Sequence, residues 1–168
     1  MKKKFLIIGS NSFSGSNFVN HLLSLGHKVI GVSRSAEPNK IFLPYSDNIN
    51  KENFKFHKIN INKDLKKFQQ ILIKERPVYI VNYAAQGMVA ESWLNPLDWY
   101  QTNVISQVKI FEILKELKFI KKYLHFTTPE VYGSTNKWCK ESYNFHPSTP
   151  YAVSRATSDL HLLNMHLI

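Results

Sequence analysis

The first nine residues end an apolar run, Lys4 to Gly9, that opens straight into Gly9-Ser10-Asn11-Ser12-Phe13-Ser14-Gly15. Helical spacing follows at once, with Phe18, Val19, Leu22, Leu23 and Leu25 on one face and Gly26 placed as a C-terminal cap. A small-residue turn between a first strand and a first helix restricts the chain sharply. Gly9 permits a tight turn, and Gly15 lets helix and strand approach closely. Between them the helix N-terminus offers free amides to an anion such as a pyrophosphate. Gly9, Asn11, Ser12, Phe13, Ser14 and Gly15 are the candidate phosphate contacts. The spacing is that of a G-x-x-G-x-x-G loop with Ser12 at the middle glycine, where its Cβ is expected to weaken the approach of phosphate. The plainer alternative is an ordinary strand-to-helix turn.

The rest of the chain repeats the strand-helix alternation. Strands are expected at Lys28 to Ser33, Phe54 to Ile61, Val78 to Tyr83 and Lys122 to Thr128. Helices are expected at Asp64 to Glu75, Pro96 to Lys118 and Pro150 to the end, with Ser35 to Asn53 as a polar loop. The pattern predicts a three-layer, doubly wound α/β fold with five parallel strands in the order 3-2-1-4-5. Ligands of such sheets bind beyond the carboxyl ends of the strands.

With 168 residues, one domain is expected. Hydrophobic residues make up 43% and charged residues 20%, which excludes a disordered or low-complexity chain. The formal charge of +10 could serve an anionic partner, but the lysines are scattered and no basic face is interleaved with aromatics. Nucleic acid is therefore not an expected partner. No apolar stretch reaches the ~20 residues of a membrane span. The start lacks the long apolar core and cleavage site of a signal peptide, and one cysteine forms no internal disulfide, so a cytoplasmic location is expected. Cys139 reads as structural. The seven histidines show no metal-ligand spacing, His161 and His166 being five apart, so no metal site is expected. Trp93 and Trp99 bracket Pro96 and read as packing residues.

The tip of the second strand reads the adenosine ribose in dinucleotide-binding sheets, with an acid for a 2′-hydroxyl and a base for a 2′-phosphate. Here it is Ser33-Arg34-Ser35, with Glu37 beyond it. Arg34 favours NADP over NAD. A second cluster lies toward the end of the chain. Tyr151 and Arg155 share a helix face in Tyr151-Ala152-Val153-Ser154-Arg155, and a cation beside a phenol lowers its pKa. Thr127-Thr128-Pro129-Glu130-Val131-Tyr132-Gly133 adds a hydroxyl and a carboxylate where the fifth strand ends.

These residues, with Asn82-Tyr83-Ala84-Ala85-Gln86 and Asn103, resemble the extended short-chain dehydrogenase/reductase family from Met1 to the end. Within that family the nucleotide-sugar 4,6-dehydratases, of dTDP-glucose or GDP-mannose, are most similar. The resemblance implies a Rossmann fold and a lyase cycle on a nucleotide sugar. Tyr151 takes the 4-hydroxyl proton, Thr128 hydrogen-bonds that oxygen, Glu130 removes the C5 proton, and Arg155 takes the place of a lysine that binds the nicotinamide ribose. Cofactor contacts implied further are Asn60, Ile61, Ala84, Ala85, Gln86 and Asn103, with Tyr151 and Arg155 themselves.

The chain departs from the pattern at Arg155 for lysine, Pro129 for an acidic residue and Asn60 for aspartate. Relatives are about twice as long, so the resemblance implies that 1–168 is a cofactor-binding Rossmann domain, cut before a substrate domain and inactive alone. It also implies a homodimer through the helices Pro96 to Lys118 and Pro150 to Ile168. The alternatives are a 4-epimerase or reductase of the same family, or a non-catalytic cofactor-binding remnant.

Overall fold

The computed structural model describes residues 2–165, in two units. One runs up to Ala84 and includes Glu116–Phe126; the other comprises Ala85–Lys115 and the chain from Thr127 onward.

The first unit holds the whole sheet: β1 (Lys4–Ile8), β2 (Lys28–Ser33), β3 (Phe54–Lys58), β4 (Tyr79–Asn82) and β5 (Lys122–His125). All pairings are parallel, in the order β3-β2-β1-β4-β5, which is the expected doubly wound Rossmann arrangement. The order reverses beside β1, where Ile7 pairs with Gly31 on one side and Val81 on the other. Alternation places Ile7, Val29 and Val81 on one face, packed with Val19, Leu22 and Leu23 of α1 (Phe13–Ser24). Leu6, Ile8, Ile30 and Ile80 lie on the opposite face and are equally buried. A strand buried on both faces reads as a continuous apolar run, which is why β1 and β4 are plain in the sequence.

Helix α1 ends in a Schellman motif, with Gly26 at φ 74° donating to the Leu23 carbonyl and His27 donating to Leu22. Helix α2 (Leu65–Glu75) buries Phe68 and Leu72. The segment expected as a plain loop carries two short 3₁₀ turns, Lys40–Phe42 and Lys51–Asn53, and sends Leu43 and Tyr45 into the α1 core. β3 stops at Lys58 rather than Ile61 because Asn60 turns the chain: its side-chain oxygen accepts from Asn62 N at 2.9 Å.

The second unit is helical. Its elements are α3 (Val89–Leu94), α4 (Pro96–Tyr100), a π-helical turn (Gln101–Ile105), α5 (Ser106–Lys115), a 3₁₀ turn (Pro129–Tyr132) and α6 (Pro150–Asn164). Helix α6 packs against all of the others. The uniform helix expected from Pro96 to Lys118 is thus interrupted by one turn of wider winding, and α3 is additional. β5 ends at His125, and continuation of α6 to Ile168 falls outside the described residues. Among the described residues no helix is long and apolar enough to cross a membrane.

Candidate functional site

In the first unit, the loop from Gly9 to Gly15 spends nearly all of its amides on itself and on β2. Gly9 N and Ser10 N donate to the Val32 carbonyl at 2.8 and 3.3 Å, and Asn11 N donates to Ser33 Oγ at 2.9 Å. Ser12 N donates to the Gly9 carbonyl at 3.0 Å, Gly15 N to Ser12 Oγ at 3.1 Å and Ser16 N to the Ser12 carbonyl at 2.8 Å. Among the described residues, that leaves Phe13 N and Ser14 N, at the first turn of α1, without acceptors. Both residues are solvent-exposed. Both glycines are obligatory. Gly9 has φ 83°, and a Cβ there would lie 2.8 Å from Ala84 N. A Cβ on Gly15 would lie 2.2 Å from the Gly9 carbonyl oxygen.

The edge of the loop is tied to the segment after β2. Asn11 Nδ2 donates to the carbonyls of Ser35 at 3.2 Å and Ala36 at 2.9 Å. Arg34 is exposed at the strand tip. Glu37, three residues further on, accepts a 2.8 Å hydrogen bond from Tyr45, whose ring is fully buried against Phe54. Burial, then the Glu37 carboxylate, pushes the Tyr45 phenol well above its ordinary range. Asn60 has its side-chain oxygen committed to Asn62 N, Ile61 is buried, and Ala84 N donates to Asn82 Oδ1 at 2.9 Å.

In the second unit, Thr149 caps α6 by accepting from Ala152 N at 3.0 Å, and Pro150 occupies the first helical turn. This places Tyr151 at the mouth of α6 and Arg155 one turn further in, 3% exposed. Tyr151 N donates to Ser92 Oγ of α3 at 3.2 Å. Thr128 caps the Pro129–Tyr132 turn, its Oγ1 accepting from Glu130 N at 3.4 Å, and that turn packs on α6. The elements bearing Thr128, Glu130, Tyr151 and Arg155 therefore meet within one unit. Among the described residues no hydrogen bond engages the Tyr151 hydroxyl or the Glu130 carboxylate.

Asn103, fully buried in the π turn, is a structural node. Its oxygen accepts from Gln86 N at 2.7 Å, and its amide donates to the Gln86 carbonyl and to Ser154 Oγ, each at 3.0 Å. Ser154 Oγ in turn donates to the Tyr151 carbonyl at 2.7 Å. Ala85 is exposed beside this anchored segment.

Sequence reasoning missed Asp159. It lies one turn beyond Arg155 and accepts a hydrogen bond from Thr127 Oγ1. Burial raises its pKa, against the pull of the Thr127 hydrogen bond and the Arg155 charge. The i, i+4, i+8 spacing of Tyr151, Arg155 and Asp159 was available as a signal. Trp99 is buried and Trp93 exposed, so only one of the pair packs. Cys139 is exposed. Among the described residues no three His, Cys, Asp or Glu side chains converge on a metal position; His166 lies outside them.

Residues 6–167 match the family model described as GDP-mannose 4,6 dehydratase. Protein CapI of Staphylococcus aureus is 32% identical over 96% of this chain and 51% of its own length. A UDP-N-acetylglucosamine 4-epimerase from Methanobrevibacter ruminantium M1, solved with UDP-N-acetylmuramic acid, superposes with a TM-score of 0.85 at 29% identity, over 99% of this chain and 51% of that one. A dTDP-glucose 4,6-dehydratase from Bacillus anthracis str. Ames, solved with NAD, gives a TM-score of 0.78 at 27% identity, over 96% and 50%. The chain spans about half the length of the curated relatives it matches.

Proposed function

The chain belongs to the GDP-mannose 4,6-dehydratase family, and from that we propose that it forms the cofactor-binding and proton-handling part of a nucleotide-sugar 4,6-dehydratase. The observation that carries this reading is the packing of the Thr128–Glu130 turn on the helix that bears Tyr151 and Arg155. A nicotinamide dinucleotide fits the first unit's loop, where two glycines let the chain pack tightly on its own backbone and, among the described residues, the amides of Phe13 and Ser14 have no acceptor. Gly9 and Gly15 set the path of the loop, Ser12 and Asn11 hold it, and Phe13 N and Ser14 N would hold the pyrophosphate. Asn60 and Ile61 after β3 and Ala84 after β4 would be further contacts for the dinucleotide. Held there, a nicotinamide dinucleotide would supply hydride acceptance from the sugar C4 and its return at C6.

The chain's own groups handle the protons. Tyr151 acts as the base that takes the proton of the 4-hydroxyl, with Arg155 buried one turn further along the same helix. Thr128 hydrogen-bonds the same sugar oxygen. Glu130 removes the proton at C5, which the new C4 carbonyl makes acidic, and delivers it to the C6 hydroxyl, which leaves as water. Asn103 and Gln86 fix the backbone of the Ala85-Gln86 segment for the nicotinamide side.

NADP is the preferred cofactor. Arg34 stands at the ribose-reading tip, and Glu37, three residues further on, is engaged by Tyr45. Calorimetric titration checks this: NADP is expected to bind tighter than NAD, and Arg34→Ala to erase the preference. Leu97, Ile105, Leu160 and Leu163 leave apolar surface on the helices of the second unit, supporting a homodimer built on α4, α5 and α6. A monomeric mass by light scattering at micromolar concentration rejects that. A single, exposed cysteine suits a reducing, cytoplasmic compartment.

The deciding experiment separates oxidation from elimination in a longer product of the reading frame, residues 1–168 alone being expected to turn over no nucleotide sugar. Tyr151→Phe is expected to abolish cofactor reduction. Glu130→Gln is expected to retain reduction and stop formation of the 4-keto-6-deoxy sugar. Epimerised nucleotide sugar with no dehydration would assign the chain to the 4-epimerases instead, whose solved representative it also resembles.

A further inference from the structure

We infer that Ser12, at the middle-glycine position of the phosphate loop, is a positioning residue: its hydroxyl takes over the preorganisation of the pyrophosphate amides. This rests on the cofactor reading above and concerns how the loop achieves it.

The Ser12 side chain turns back on its own loop. Its Oγ donates to the Gly9 carbonyl at 2.7 Å and accepts from Gly15 N at 3.1 Å. One hydroxyl thereby links the first and last glycines of the loop. The backbone repeats the link, through Ser12 N to the Gly9 carbonyl and Ser16 N to the Ser12 carbonyl. Ser12 has extended backbone angles, φ −70° and ψ 159°, as an N-cap requires, so no glycine is needed there for conformational reasons.

The hydroxyl has a consequence for the ligand. Helix α1 begins with amides that lack intrahelical acceptors. Ser12 takes the one on Gly15, which is buried, and leaves Phe13 N and Ser14 N in fixed directions on the exposed side. A glycine at position 12 would free Gly15 N but remove both side-chain hydrogen bonds and add backbone freedom. Ordering that loop would then fall to the ligand, and affinity would drop.

The two views of Ser12 predict opposite signs. If its Cβ merely obstructs phosphate, Ser12→Gly binds the dinucleotide more tightly. If its hydroxyl organises the loop, Ser12→Gly and Ser12→Ala bind it about fivefold more weakly, the size of a lost N-cap. Ser12→Thr is then expected to stay within about twofold of the parent, since Thr retains the capping oxygen. Calorimetry with the tighter of NADP and NAD reads these affinities. Adenosine, which has no phosphate, serves as the control by ligand-observed NMR: its binding is expected to be unchanged in every variant that stays folded.

Equal or tighter dinucleotide binding by Ser12→Gly overturns the inference. So does a parallel loss of adenosine binding, which marks general damage to the unit. If the Ala and Gly variants do not fold, Ser12→Thr and Ser12→Cys are compared. The inference then requires Thr to bind normally and Cys, a poor acceptor, to bind weakly. A parent chain that binds neither dinucleotide overturns the cofactor reading, and this inference with it.

Discussion

A methyl group added to Gly15 would sit 2.2 Å from the Gly9 carbonyl oxygen and 2.9 Å from Ser12 Oγ. Neither can retreat without breaking the loop, so Gly15→Ala is expected to cost about 3 kcal/mol in urea unfolding and to abolish dinucleotide binding. This requirement was legible, because close approach leaves its mark on residue type. The direction of the Ser12 hydroxyl was not legible, since serine's side chain serves ligand, cap or solvent alike. A second residue yields a pH prediction. Glu75 is 8% exposed and pairs with Lys55 at 3.1 Å and Lys4 at 3.4 Å. Burial alone would raise its pKa, but the two lysines outweigh it and hold it below the ordinary value. A carboxyl depressed in the folded state stabilises above its unfolded pKa of ~4.3 and loses that contribution as pH falls through the folded value. Glu75→Gln is therefore expected to lower stability by about 1 kcal/mol at neutral pH, the lysines being partly exposed. Denaturant melts at pH 7 and pH 3 check this: the gap between variant and parent closes at the acid end.

At the scale of elements, the π turn at Gln101–Ile105 is the feature that helical periodicity conceals. Leu97, Val104, Val108 and Phe111 keep an acceptable spacing through it, so an apolar count registers one helix. What breaks the winding is polar. Asn103 must face Gln86 and Ser154, and the inserted residue lets it do so without turning α5 away. Such a demand comes from a partner distant in sequence and has no local signature. Asn103→Leu leaves the Gln86 amide and carbonyl and Ser154 Oγ without this partner. It is expected to destabilise the protein by about 3 kcal/mol in urea, more than a comparable apolar truncation on the same helix, such as Val108→Ala. The missed helix α3 has a related cause. It is entered through Met88 at φ 67°, a strained start that no propensity predicts, and Pro96 follows two residues after it ends.

For the whole molecule, strand order followed from the alternation of apolar runs, because parallel strands buried on both faces need crossovers and the glycine loop marks β1. What the alternation did not contain was the grouping of the elements. The sheet unit closes on Glu116–Phe126 after the chain has already laid down α3, α4 and α5 of the other unit. The candidate site residues in that second unit are likewise drawn from far apart, with Gln86 and Asn103 early and Thr128 to Arg155 late. The tie between Thr127 and Asp159 is one product of this late assembly. In a longer product that reduces cofactor, Asp159→Asn is expected to slow that step while leaving dinucleotide affinity at the glycine loop unchanged, a split that paired calorimetric and absorbance measurements read out.

That threading sets a timetable during synthesis. A ribosome delivers residues in order, and neither unit is a continuous stretch of chain. The four strands up to Asn82 emerge first, with β4 exposed along the side that β5 will occupy. β5 emerges only after Lys115, some forty residues later. Through that interval the nascent chain carries an unpaired inner strand, a natural docking place for a holding chaperone.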